Sequence, residues 1–244
     1  MKKYGLIGRR LGHSWSQRWF EEMFRRENVA AASYSLFEME SVDGLREWVE
    51  NHAISGFNVT VPYKEAVIPF LDDLDETASA VGAVNCVEVC DGRLVGHNTD
   101  APAFRDTLAP LLRSWHSSAL ILGTGGAAKA VAFALRQLEI DYCFVSRNPN
   151  GRAGIVGYDG AREMACARQL IVNATPVGMC PDVGQTPWPY LADLGEHHVC
   201  YDLIYNPAES RFLHDARSKG CQTANGLAML HRQAQLSWEI WSGR

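Results

Sequence analysis

Residues 118–138 read SALILGTGGAAKAVAFALRQL, an apolar strand, a glycine-rich turn and a helix in unbroken succession. Within it, Gly123-Thr124-Gly125-Gly126-Ala127-Ala128 fits G-x-G-x-x-A, one form of the dinucleotide-binding turn. The first glycine permits the tight turn, the second lets backbone approach a pyrophosphate, and the small third residue lets helix pack on strand. The helix N-terminus then offers free N–H groups and a positive dipole end to the phosphates. Glycines alone also describe a ligand-free strand–helix turn; the flanking strand and helix are what favour a ligand. Further apolar strands follow in IDYCFVSRN (140–148), RQLIVNATP (168–176) and HHVCYDLIYNP (197–207). SRFLHDARSKG (210–220) reads as a helix stopped by Gly220. Repeated strand-then-helix predicts a doubly wound parallel sheet.

The tip of the second strand discriminates between cofactors. NAD-binding chains usually place Asp or Glu there for the ribose 2′-OH. Here it reads Val145-Ser146-Arg147-Asn148, with no acid from Tyr142 to Tyr158. A guanidinium suits a 2′-phosphate through forked hydrogen bonds, so NADP(H) is expected. The plain alternative is a solvated surface arginine. Residues 149–168 are short and glycine-rich, which leaves little room for a full crossover helix.

The first hundred residues mix both element types. YGLIG (4–8), ASYSLFEM (32–39) and ISGFNVTVP (54–62) read as strands, the last ended by Pro62. Residues 15–28 read as a helix, with Trp15, Trp19, Phe20, Met23 and Phe24 at helical spacing. Ser41 is placed to N-cap a helix through Asn51. AVNCVEVC (83–90), Asp91-Gly92 and RLVGHN (93–98) form a hairpin signal. The final stretch, NGLAMLHRQAQLSWEIW (225–241), reads as an amphipathic helix. The predicted fold class is α/β: an N-terminal open α/β domain plus a Rossmann-type doubly wound domain. Joints near residues 101 and 225 divide it into 1–100 with 226–244, and 101–225.

Composition narrows the function classes. The chain has 244 residues, 47% hydrophobic and 21% charged, which describes a globular protein and excludes a disordered one. A net charge of −5 disfavours nucleic acid as a partner. No run of 18 or more apolar residues exists, so no membrane helix is expected. The start, MKKYGLIGRRLGHSWSQ, carries two lysines, but its apolar part is too short for a signal peptide; a first strand in a cytoplasmic protein is expected. Seven cysteines without a CxxC signal neither disulfides nor zinc, and most are expected to be buried free thiols. His13, His97, His197 and His198 lack metal-ligand spacing, so no metal site is expected.

Polar residues gather where strands should be apolar. His13-Ser14-Trp15-Ser16 opens a helix, with Ser14 an equally good cap. Asn58-Val59-Thr60-Val61-Pro62-Tyr63-Lys64 ends a strand, with Asn58 and Thr60 on one face by the period of two. Gly82-Ala83-Val84-Asn85 and Gly96-His97-Asn98-Thr99-Asp100 add more polar strand ends. Singly these are a cap, a turn asparagine and a surface lysine.

Together they resemble the shikimate dehydrogenase family, whose members use NADPH to reduce 3-dehydroshikimate to shikimate. HSWS, NVTVPYK, GAVN, NTD, GTGGAAKA, NATPVGM and NGLAMLHRQA match in the family's order across residues 8–238. The resemblance implies a substrate-binding, catalytic domain before residue 101 and an NADP-binding domain after it. It implies Lys64 and Asp100 as the catalytic pair. Ser14, Ser16, Asn58, Thr60, Asn85, Tyr205 and Gln233 would complete the substrate pocket. Gly123, Thr124, Gly125, Gly126, Ala127, Ser146, Arg147, Asn148 and Thr175 would hold NADP(H), with Leu203, Gly226 and Glu76 on its nicotinamide side. The partners implied are a small-molecule substrate, no nucleic acid and no membrane, with the chain a monomer or homodimer. Three departures stand out: Gln17 replaces the proline usual after HSWS, the second basic residue after Arg147 is Gly151 with Arg152 one later, and residues 149–168 are trimmed.

The chemistry accounts for the residue types. Reducing a ketone needs hydride at carbon and a proton at oxygen. A cleft lysine can stabilise the developing charge on that oxygen and supply the proton; proton donor and electrostatic anchor both stay open for Lys64. Asp100 would orient the ammonium and hold a substrate hydroxyl. A quinate/shikimate enzyme with relaxed cofactor use is the neighbouring alternative. A non-catalytic sensor on the same fold is the distant one, disfavoured by the retained Lys64 and Asp100.

Overall fold

The computed structural model describes residues 1–12 and 14–243, so the reading of His13 lies outside the described residues. The chain forms two compact units: Met1–Thr99 with His231–Arg244, and Asp100–Leu230.

The first unit runs β1 (Lys2–Gly8), α1 (Ser16–Arg26), β2 (Ala32–Glu38), α2 (Leu45–His52), β3 (Ile54–Val59), α3 (Tyr63–Ala66), β4 (Asp73–Leu74), α4 (Glu76–Val81), β5 (Cys86–Cys90) and β6 (Arg93–His97). Its six strands lie in the order β2-β1-β3-β5-β6-β4. β1 is parallel to β2 and β3, whereas β5 is antiparallel to β3 and β6. The hairpin forms at Asp91-Gly92, where φ values of 50° and 76° match a primed turn. Strand alternation splits the core in two. Ile7, Phe57, Val59 and Val87 pack with α2 residues on one face. Tyr4, Leu6, Tyr34 and Cys86 pack on the other with Phe20, Met23 and Phe24 of α1 and with Ala234, Trp238 and Trp241. Each large aromatic buried there contributes roughly 1.5–3 kcal/mol relative to exposure. Asn58 sits between Phe57 and Val59, so the period of two turns it toward this second, aromatic face.

Two local expectations are corrected. α2 starts at Leu45 with Gly44 as N-cap, not at Ser41. The Ser41 hydroxyl instead accepts from Asp43 N at 3.1 Å, and Leu45 N donates to the Val42 carbonyl, forming a separate turn before the helix. β3 stops at Val59 rather than Pro62, because Tyr63 N donates to the Thr60 carbonyl at 2.9 Å and opens α3.

The second unit runs α5 (Asp100–Leu108), β7 (Ser118–Leu122), α6 (Gly126–Gln137), β8 (Asp141–Val145), β9 (Ile155–Val156), α7 (Tyr158–Ala165), β10 (Leu170–Asn173), β11 (Val199–Asp202), α8 (Arg211–Ser218) and β12 (Gln222–Ala224). The last helix, α9 (Leu227–Ser242), starts in this unit and ends in the first. The sheet is parallel throughout, in the order β12-β11-β10-β7-β8-β9. This is the doubly wound arrangement, with its strand order reversing between β7 and β10. The crossover after β8 is short: β9 has two residues and α7 has eight. Ser210 caps α8 through Leu213 N, and Gly220 follows its end with φ of 81°. All seven cysteines are free; Cys86, Cys143, Cys200 and Cys221 are buried, and Cys90, Cys166 and Cys180 are exposed. Among the described residues, no helix is long and apolar enough to cross a membrane.

Candidate active site

In the first unit, three polar segments are laced together. Val84 N donates to the Lys64 carbonyl at 2.7 Å, and Val59 N donates to the Asn85 carbonyl at 2.9 Å. Asn98 Nδ2 donates to the Ala83 carbonyl at 2.8 Å. Asn85 Oδ1 accepts from Thr99 N at 2.7 Å, and its Nδ2 donates to Thr99 Oγ1 at 2.9 Å. NVTVPYK, GAVN and His97-Asn98-Thr99 are therefore one construction. Lys64 is the second residue of α3 and is half-buried. Its neighbour Tyr63 is anchored by its hydroxyl on the Met39 carbonyl.

Below this lies a buried polar network. Asn58 is only 5% exposed. Its Nδ2 donates to the Asn85 carbonyl at 3.1 Å and to Ser237 Oγ at 2.9 Å, and its Oδ1 accepts from the Tyr34 hydroxyl at 2.9 Å. Burial pushes the Tyr34 phenol well above its usual pKa, so it stays protonated as a donor. Ser237 donates to the Gln233 carbonyl at 2.9 Å and lies 3.4 Å from Thr99 Oγ1. Ser14 Oγ accepts from Ser16 N at 3.3 Å and tightens the turn before α1. Thr60, half-buried, donates its N–H to the Ile7 carbonyl. Glu76 is exposed at the first position of α4, capped by Asp75. Ser14, Ser16, Asn58, Thr60, Lys64, Asn85 and Gln233 thus all belong to one unit, while Tyr205 belongs to the other.

The second unit builds its site at the switch between β7 and β10. Gly123 has φ of 108°, and a Cβ there would press on Thr175 and the Ala174 carbonyl. The turn and Thr175 therefore face each other across the strand ends. Gly125 caps α6, and a Cβ there would enter open space. An open cradle at a helix N-terminus fits a pyrophosphate group. At the tip of β8, Ser146 Oγ accepts from Asn148 N at 3.2 Å, and Arg147 is exposed. The Arg147 charge lies near enough to Tyr158 to oppose the upward shift that burial gives that phenol. Gly226 N donates to the Ile204 carbonyl at 3.0 Å, and a Cβ on Gly226 would overlap the Leu203 carbonyl. Leu203 and Gly226 are thus brought together. Asp100 is buried and opens α5.

The sequence is similar to the NADP(+) shikimate dehydrogenase of Symbiobacterium thermophilum, with 36% identity over 98% of this chain and 88% of the relative. The chain belongs to the shikimate dehydrogenase family. A family model for the shikimate dehydrogenase substrate binding domain matches residues 6–87. Two solved structures of the family are similar along the whole chain. Shikimate dehydrogenase 1 from Peptoclostridium difficile has TM-score 0.89 and 33% identity, covering 100% of this chain and 92% of that one. Shikimate 5-dehydrogenase from Thermus thermophilus, in complex with NADP(H) and shikimate, has TM-score 0.87 and 34% identity, covering 100% and 94%.

In this family member, three structural groups escaped the sequence reading. Tyr34 looked like one more strand aromatic. Ser237 lies in the apolar stripe of α9 beside Ala234, Trp238 and Trp241, and a polar residue in such a stripe was the one signal that could have found it. Asp202 ends β11 fully buried, where burial raises its carboxyl to about 6 against hydrogen bonds from Ser210, Ile204 N and Asn173. Asn173 Oδ1 in turn accepts from Thr175 N and Oγ1 at 3.0 and 2.7 Å. A buried acid thus steadies both the Thr175 loop and the start of the Leu203–Tyr205 loop.

Proposed function

We propose that this chain catalyses the reversible NADPH-dependent reduction of 3-dehydroshikimate to shikimate, in the supply of chorismate for aromatic amino acids. The observation that carries the reading is similarity over essentially the full chain to NADP(+) shikimate dehydrogenases, including the 36%-identical relative. This chain carries Lys64, Asp100 and the turn at Gly123–Gly126.

Bound NADPH supplies the hydride. The turn Gly123–Ala127 and the N-terminus of α6 would hold the pyrophosphate through backbone N–H groups. Ser146, Arg147 and Asn148 would take the 2′-phosphate, where no carboxylate repels it. Thr175, Leu203 and Gly226 would line the nicotinamide side, with Glu76 nearby. Ser14 and Ser16 would receive the substrate carboxylate and hydroxyls, with Thr60, Asn85, Tyr205 and Gln233 holding the ring. Asn58 would contribute chiefly by orienting Asn85, since its amide hydrogens are already committed to Asn85 O and Ser237. Lys64 would hydrogen-bond the substrate carbonyl oxygen, stabilise its growing negative charge and supply the proton. Asp100 would orient the ammonium and accept from a substrate hydroxyl.

The test is oxidation of shikimate with NADP+, followed by NADPH absorbance, against quinate and NAD+ in parallel. Turnover that favours shikimate with NADP+ supports the reading. Equal or better rates with quinate and NAD+ move the chain to the quinate side of the family, and no turnover of either acid overturns the reading.

A further inference from the structure

We propose that Tyr34 and Ser237 are positioning residues of the substrate pocket, acting through the buried Asn58 amide on Asn85 and Gln233. The inference rests on the functional reading above and adds two residues to it.

The directions of the hydrogen bonds follow from atom types. The Asn85 carbonyl can only accept, so the Asn58 atom 3.1 Å from it is Nδ2. That orients the amide and leaves Oδ1 facing the Tyr34 hydroxyl. An amide oxygen only accepts, so Tyr34 donates. Its one proton is then committed to Asn58. The second Asn58 N–H goes to Ser237 Oγ, whose own proton goes to the Gln233 carbonyl. Every member of this chain is consistent with every other, and none of Tyr34, Asn58 or Ser237 is more than 5% exposed.

The consequence is mechanical. Asn58 joins β2, β3, α9 and the segment before β5 at one buried point. Asn85 is held directly, and again through Thr99 beside Ser237. The helical turn carrying Gln233 is held through its carbonyl. Stacking fixes the phenol: Tyr34 lies on Phe20 with ring centroids 4.2 Å apart and 8° between planes. Satisfied buried networks rigidify what they touch, and a single orphaned donor or acceptor loosens it.

The test uses Tyr34→Phe and Ser237→Ala, each deleting one oxygen. KM for shikimate is expected to rise about tenfold in each, the loss of a single hydrogen bond. kcat and KM for NADP+ are expected to stay within about threefold, since the affected side chains would hold substrate alone. Combining Tyr34→Phe with Ser237→Ala is expected to give less than the product of the two effects, because both act through Asn58. Melting temperatures show whether each variant is folded, and Ser237→Ala decides the matter if Tyr34→Phe does not fold. Folded variants with wild-type KM for shikimate would overturn the proposal, as would equal losses for both ligands or strictly multiplicative effects in the double variant. A wild type that neither oxidises shikimate nor binds it in calorimetry would remove the functional reading itself, and this inference with it.

Discussion

Asn85 and Thr99 close a two-bond ring, with Thr99 N and Oγ1 paired to opposite ends of the Asn85 amide at 2.7 and 2.9 Å. The ring determines which way the amide faces, because a flipped amide would set its N–H against the Thr99 N–H. Asn85→Ala orphans a buried backbone donor and is expected to destabilise the protein by about 1–3 kcal/mol. KM for shikimate is expected to rise while KM for NADP+ holds. Denaturant unfolding and steady-state kinetics on the same preparation check both. A variant as stable as wild type would mean that water replaces the ring.

Lys64→Ala is expected to lower kcat by roughly 10²–10⁴-fold, the usual contribution of a placed acid or base. Its carbonyl, not its ammonium, ties α3 to Val84, and alanine keeps that bond. The melting temperature is therefore expected to stay near wild type. Turnover within a few-fold of wild type would take Lys64 out of the chemistry.

Asp202 predicts a pH dependence whose sign follows from its burial. Its carboxyl titrates near 6 when folded, against the ordinary aspartate value of 3.8. The folded state thus binds the proton more tightly. Its stabilising contribution is complete below about pH 4 and is lost as pH rises through 6, a span of roughly 3 kcal/mol. Asp202→Asn can keep the bonds from Asn173 and Ile204 N on its oxygen and turn its N–H toward Ser210. Unfolding free energies between pH 4 and 7 are expected to fall less steeply with pH in the variant than in wild type. Parallel pH curves for the two proteins would assign the slope to other groups.

Legibility followed the range of the interactions. The Gly123 turn was readable because strand, turn and helix are contiguous, and the Asp91-Gly92 hairpin because its turn needs two positive φ values in a row. The two-residue strands β4 and β9 and the three-residue β12 are too short to carry a period, and tertiary pairing alone creates them. Ser41 misled because a good capping side chain found a nearer N–H. Asn58 stood out as a polar residue in a strand, but its partner Ser237 lies 179 residues away. Nothing local to Ser237 says which polar group it meets. Asp202 hid for a related reason: an acid at a strand end is ordinarily solvated, and only the packed sheet shows that this one is not.

Arg147→Ala is expected to erode the preference for NADP(H) over NAD(H). The tip of β8 carries the exposed Arg147 on a turn in which Ser146 Oγ holds Asn148 N. No acid stands between Tyr142 and Tyr158 to hold a 2′-hydroxyl, and the only other cation in that stretch of sequence is Arg152. Charge-assisted hydrogen bonds contribute roughly 1.5–3 kcal/mol each, which is about 10- to 150-fold in kcat/KM for the phosphorylated cofactor. NAD(H) carries no phosphate at that position, so its kcat/KM is expected to move little. An effect this electrostatic shrinks as salt rises, because the turn is exposed. Measuring kcat/KM for both cofactors in wild type and variant, at low and high ionic strength, gives the ratio and its screening. A ratio unchanged by the substitution would mean that Arg147 points into solvent and that Arg152 makes the discrimination.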